Sequence, residues 1–200
     1  MIALQEAWLA AARRVSRWAV WAAGALMLAA ALLVSVEVFL RKLFLVSIGG
    51  ADELSGYAFA IATSWALAFT LLERANVRVD AVYQHLPSGL RALLDVAGLL
   101  VLGGFVGLLA WHGWAVLQDS LAFKTLATTP LQTPLWIPQT LWVVGFGIFA
   151  FAWVPLVLRV LRALFSGDRA TAARLAGARS IEEDAQAEIA HTRPANGGGA

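Results

Sequence analysis

Four ionisable residues stand close together in a chain that is otherwise strongly apolar: Glu37, Arg41, Asp52 and Glu53. Glu37 and Arg41 are spaced i, i+4 with the acid first, the favourable order for an ion pair on a helix. Asp52 and Glu53 open the next apolar segment, where carboxylates meet the positive end of a helix dipole. Capping alone would account for those two acids. Their nearness to Glu37 and Arg41 across a short turn also allows one polar cluster at a membrane face. Catalysis finds little support elsewhere. His85, His112 and His191 are the only histidines, and no pair of them faces across a membrane as a haem requires. His112, beside Trp111 and Trp114, reads as an interfacial residue at a helix end rather than a ligand. There is no phosphate loop, no metal-ligand spacing and no serine set beside a base. The absence of cysteine removes disulfides, thiolate metal sites and thiol redox chemistry. No cofactor is expected, and the chain does not read as an enzyme.

The elements that position these residues follow from composition. The 200 residues are 60% hydrophobic and 14% charged, against roughly a quarter charged in a soluble domain. Too few polar groups exist to cover a soluble surface, so the expected class is an all-α membrane protein with four transmembrane helices. The spans are expected at about 18–40, 51–72, 90–117 and 139–162, each reaching the roughly 20 residues that cross a bilayer. Residues 1–17 read as a short amphipathic start ending in Arg13, Arg14 and Arg17. A cleavable signal peptide ending near Ala29-Ala30-Ala31 is set aside because the apolar run continues past those alanines. Ser88 is an expected N-cap for the third helix. Gly103 and Gly107 form a small-xxx-small pair suited to close helix approach. The prolines 130, 134 and 138 forbid a regular helix in the loop expected over 119–139, Trp136 and Trp142 are expected near the headgroups, and Pro155 is expected to kink the end of the fourth span.

Between the second and third spans lies a polar seam, Glu73 to Pro87. Val79, Val82, Tyr83 and Leu86 recur at i, i+3, i+4, i+7, the spacing of one helix face. An amphipathic helix in the headgroup plane and a solvated connector both fit this pattern. Orientation comes from the basic residues. With both termini inside, twelve arginines lie on that side against Arg41, Lys42 and Lys124 on the other, which makes the termini and the seam cytoplasmic. Residues 1–165 then form one membrane domain, and 166–200 a cytoplasmic tail, partly helical and then disordered. Basic residues cluster at segment ends rather than in a patch, which argues against nucleic acid. The middles of the spans lack ionisable groups, with Glu37 and Asp95 near helix ends. An ion path through this chain alone therefore has little support.

Glu37-x-x-x-Arg41 closes the first span and Asp52-Glu53-Leu54 opens the second; Arg78-Val79-Asp80 follows it, Leu86-Pro87 precedes the third, and Thr133-Pro134-Leu135-Trp136-Ile137-Pro138 leads into the fourth, which holds Gly145. In this order, over roughly 14–164, the chain resembles the small membrane subunit of tripartite ATP-independent periplasmic (TRAP) transporters, the DctQ-like family. The resemblance implies a bacterial inner-membrane protein that partners a large membrane subunit carrying the substrate and sodium sites. A periplasmic substrate-binding protein would deliver an organic acid, driven by the sodium gradient, and membrane lipids would surround the assembly. The small subunit would serve as a scaffold for the static part of an elevator-type transporter. The family's usual histidine before the Arg-Val-Asp motif is Asn76 here, so a pH-linked role does not carry over. On this reading Glu37, Arg41, Asp52 and Glu53 fix the first hairpin, while Arg78 and Asp80 lock the interfacial helix. A charge-reversal swap of Glu37 and Arg41 would then preserve assembly. A self-sufficient small proton-coupled transporter and a membrane enzyme or haem protein are the rival classes, and both call for polar residues in mid-span.

Overall fold

The computed structural model describes residues 2–74 and 87–167. They form four long helices: α1 (Ile2–Phe44), α2 (Ala51–Leu72), α3 (Ser88–Phe123) and α4 (Trp136–Phe165). All four are long and apolar enough to cross a membrane. The expected interfacial helix, with Asn76, Arg78, Asp80 and His85, lies outside the described residues, as does the tail from 168 onward.

α1 is one helix of 43 residues, about 64 Å long at 1.5 Å per residue. The start expected as a separate amphipathic piece is continuous with the span. The pattern of burial explains why. Leu9, Ala12, Ser16, Ala19 and Ala23 are buried at alternating spacings of three and four, and Glu37 lies in the same register. A heptad stripe of mostly small residues lets α1 lie along its neighbours for many turns. Polar ties fix its beginning to the end of α4: Gln5 donates to the Pro155 carbonyl (3.2 Å) and accepts from Arg162 (2.6 Å). Glu6 lies 3.7 Å from Arg159.

α4 buries the largest share of its apolar core, followed by α2, α3 and α1. α1, α2 and α4 pack against one another, while α3 packs along α4 and has no comparable interface with α1 or α2. Ala12, Ala68 and Ala152 meet at the three-helix junction, none more than 1% exposed. Higher on α4, Gly145 lies so close to α2 that an added Cβ would stand 2.3 Å from Ser64 Oγ and 2.8 Å from its backbone carbon.

Large residues fit glycines on the α3 side. The Trp153 ring occupies the space a Gly103 Cβ would need, and its indole N–H donates to the Leu99 carbonyl at 2.9 Å. Trp142 sits against Gly113 and packs edge-on to Phe146 at 4.9 Å between centroids. Trp142 thus takes part in helix packing, about two turns into α4, which begins at Trp136. Among the described residues Gly107 meets nothing within 4 Å, so of the expected glycine pair it is Gly103 that receives a neighbour there.

Each helix is followed within two residues by a left-handed residue: Leu45, Arg74, Lys124 and Gly167. Such a residue turns the chain off the helix axis, and only the last has the conformational freedom of glycine. The third helix continues to Phe123, beyond the expected 117, so Asp119 is helical and His112 faces outward about three turns before the helix end.

Gly145→Ala should therefore force α2 and α4 apart. Overpacking of this kind costs about 1–3 kcal/mol, and the melting temperature of the detergent-solubilised chain should fall by roughly 2–4 °C per kcal/mol. Gly107→Ala, facing open space, should leave it unchanged or slightly raised.

Candidate functional site

At the end of the bundle where α1 gives way to α2 there are two polar knots, each built around one carboxylate. Glu37 lies on the buried stripe of α1 and is 3% exposed. It accepts three hydrogen bonds: from Arg41 Nη2 (2.6 Å), Ser47 Oγ (2.6 Å) and the Ile48 backbone N–H (2.7 Å). Ser47 in turn accepts from the Gly49 N–H at 3.1 Å. The charge on Glu37 is thus surrounded by donors, and the connection 45–50 is folded back over the end of α1. The Arg41 side chain is largely exposed, so it is the outermost of the three donors.

Glu53 forms the second knot in the first turn of α2. It accepts from Tyr57 Oη at 2.8 Å and from Thr129 Oγ1 in the loop before α4. That loop spans 124–135. Gln132 N–H closes a turn on the Thr129 carbonyl (3.0 Å), Ala127 N–H donates to Thr133 O (2.9 Å), and Leu135 N–H donates to Thr125 O (3.1 Å). The prolines divide the work: Pro130 lies in the turn, Pro134 in an isolated bridge to Leu126, and Pro138 in the first turn of α4, where its missing N–H costs nothing. Leu131 at the tip rests on Gly50. The two loops on this face therefore touch each other, and Glu53 ties the start of α2 to the loop that leads into α4.

Asp52, one residue away, is exposed and holds no side-chain cap. The four expected residues are thus divided: Glu37 with Arg41, Glu53 with Thr129, and Asp52 in neither knot. The donors Ser47, Tyr57 and Thr129 were not singled out in the sequence. A hydroxyl has no periodicity to betray it, and only the excess of acids at two helix ends called for donors nearby.

Toward the other end, Asp95 lies near the start of α3, as expected, and is 1% exposed. Mid-way along α2, the Trp65 indole N–H donates to the Leu141 carbonyl of α4 at 2.8 Å. Among the described residues no group of three or more His, Cys, Asp or Glu is placed to hold a metal ion.

The model of the DctQ component of tripartite ATP-independent periplasmic transporters matches residues 30–163. The chain belongs to the DctQ family. No curated protein and no solved structure matches it significantly. The match begins just before Glu37 and ends with α4, so both knots of this DctQ component lie inside the family's shared region, whereas the arginines at 13, 14 and 17 precede it. As a component of a transporter with four helices able to cross a membrane, the protein is a multi-pass membrane subunit.

Because Glu37 accepts from a hydroxyl and a backbone N–H as well as from Arg41, it cannot be exchanged for a cation. The doubly swapped E37R/R41E chain should behave like Glu37→Arg alone, with connection 45–50 cut faster than wild type in limited proteolysis. Arg41→Gln, which leaves two donors in place, should be cut at close to the wild-type rate.

Proposed function

We propose that this chain is the small permease subunit of a sodium-coupled TRAP transporter for organic acids, and that it acts as a scaffold and anchor for the large transport subunit. The observation that carries the reading is how the buried polar side chains are distributed. Among the described residues they are Ser16, Glu37, Ser64, Asp95 and Ser120. Glu37 is committed to a loop of its own chain, Ser64 is covered by Gly145, and Ser16 turns back onto the Arg13 carbonyl. A translocation path wants ionisable groups in line along a cavity, and these are scattered over different helices and heights.

The outer surface supports a role as a brace. Trp111, Val101 and Phe105 on α3, and Phe39, Leu32 and Leu28 on α1, are exposed. Surfaces this apolar are suited to lipid and to a membrane-embedded partner. The hydrogen-bonded loops around Glu37 and Glu53 would hold a fixed face toward the periplasm, where a substrate-binding protein delivers its cargo. The cytoplasmic placement of both termini rests on the arginine count.

Reconstitution tests this reading against a self-sufficient small transporter. Sodium-driven organic-acid uptake into proteoliposomes should need the large subunit, the binding protein and this chain together. A tagged copy of the chain should co-purify with the large subunit. Uptake by the purified chain alone would overturn the scaffold role.

A further inference from the structure

The first third of α1 carries a cationic patch that the scaffold role does not use. Arg13, Arg14 and Arg17 are exposed, and their guanidinium groups have no hydrogen-bond or ion-pair partner among the described residues. At 100° per residue, Ala10, the three arginines, Trp18 and Trp21 share roughly 140° of the helix surface. This arc lies opposite the stripe of Leu9, Ala12, Ser16 and Ala19 that packs into the bundle. These six residues line an open groove of about 690 Å³. Trp18 and Trp21 are 74% and 73% exposed. Glu6, the nearest acid on this face, lies about two turns before Arg13 and stands beside Arg159.

The height of the patch is set by the helix itself. Arg17 precedes Glu37 by twenty residues of unbroken helix, about 30 Å, which matches the hydrocarbon thickness of a bilayer. With the Glu37 knot at the outer boundary, the guanidiniums stand at the opposite phosphate plane. The two indoles then lie just inside it, at the depth tryptophan favours. Beyond them Gly24, Leu28 and Leu32 continue the same exposed stripe toward the outer face, and Gly24 leaves an unfilled step.

We propose that this patch is a binding site for an anionic diacyl phospholipid. The phosphate and its anionic headgroup lie among Arg13, Arg14 and Arg17, and the acyl chains run along Trp21, Gly24 and Leu28. A zwitterionic lipid offers the same tails and phosphate but carries its own cation, which the arginines repel, so the site selects by net headgroup charge. This inference goes beyond the scaffold reading and does not require it.

Native mass spectrometry of the purified full chain, given equimolar phosphatidylglycerol and phosphatidylcholine, tests the site without any variant. Phosphatidylglycerol should be retained preferentially. An arginine at an anionic surface contributes about fivefold, so the preference should fall by up to about a hundredfold in R13Q/R14Q/R17Q and persist in R13K/R14K/R17K. W18A/W21A should weaken both lipids alike. Equal retention of the two lipids by the native chain would overturn the proposal, as would an undiminished preference in the glutamine variant. A preference lost once the chain is bound to its large subunit would also overturn it, in favour of an acidic protein surface on the arginines.

Discussion

Close backbone approach holds this bundle together. Lipid tails are as apolar as leucine, so burying hydrophobic area against a neighbouring helix gains little in a bilayer. What remains is contact between backbones and the dispersion it brings, and both demand small side chains at the seam. The junction of Ala12, Ala68 and Ala152 and the Gly145–Ser64 contact meet that demand for α1, α2 and α4. On the α3 side the solution is inverted, with tryptophan rings of α4 set into gaps left by Gly103 and Gly113. The Trp65 and Trp153 N–H groups then find carbonyl lone pairs on the next helix, which spares a donor from standing unpaired in hydrocarbon.

With the helices fixed in this way, the acids at their ends can organise the loops. Glu37 gathers one connection over α1, and Glu53 joins α2 to the loop before α4. Neither carboxylate is poised for chemistry, since the oxygens are taken up by donors from the same chain. This face is consequently tied together by its own loops, while toward the opposite end Arg13, Arg14 and Arg17 stand beside Trp18 and Trp21 without partners among the described residues.

Much of this was legible beforehand, for physical reasons. Hydrocarbon thickness requires runs of about 20 apolar residues, so the four spans announce themselves by length. Their ends were harder to place. α3 runs on through Gln118 and Asp119 to Phe123, because a helix that leaves the bilayer keeps its hydrogen bonds and need not stop where hydropathy falls. The same holds at the start of α1, where three arginines interrupt the hydropathy but not the heptad of buried small residues. The pairing of Glu37 with Arg41 follows from i, i+4 geometry. The roles of Ser47, Tyr57 and Thr129 do not, because they depend on loops whose path no local pattern encodes. Trp142 and Trp153 illustrate a third case: the glycines that receive their rings lie on a facing helix, and no pattern local to α4 pairs them.

The arrangement of α3 has a consequence for how the protein is made. Helices leave the ribosome and enter the bilayer in chain order, and α3 packs along α4 with no comparable interface to α1 or α2. It must therefore reside in the lipid with its Gly103 and Gly113 notches empty until the last span is synthesised. Biogenesis thus depends on α3 being apolar enough to wait alone, which its mean hydropathy of 2.2 over the span allows.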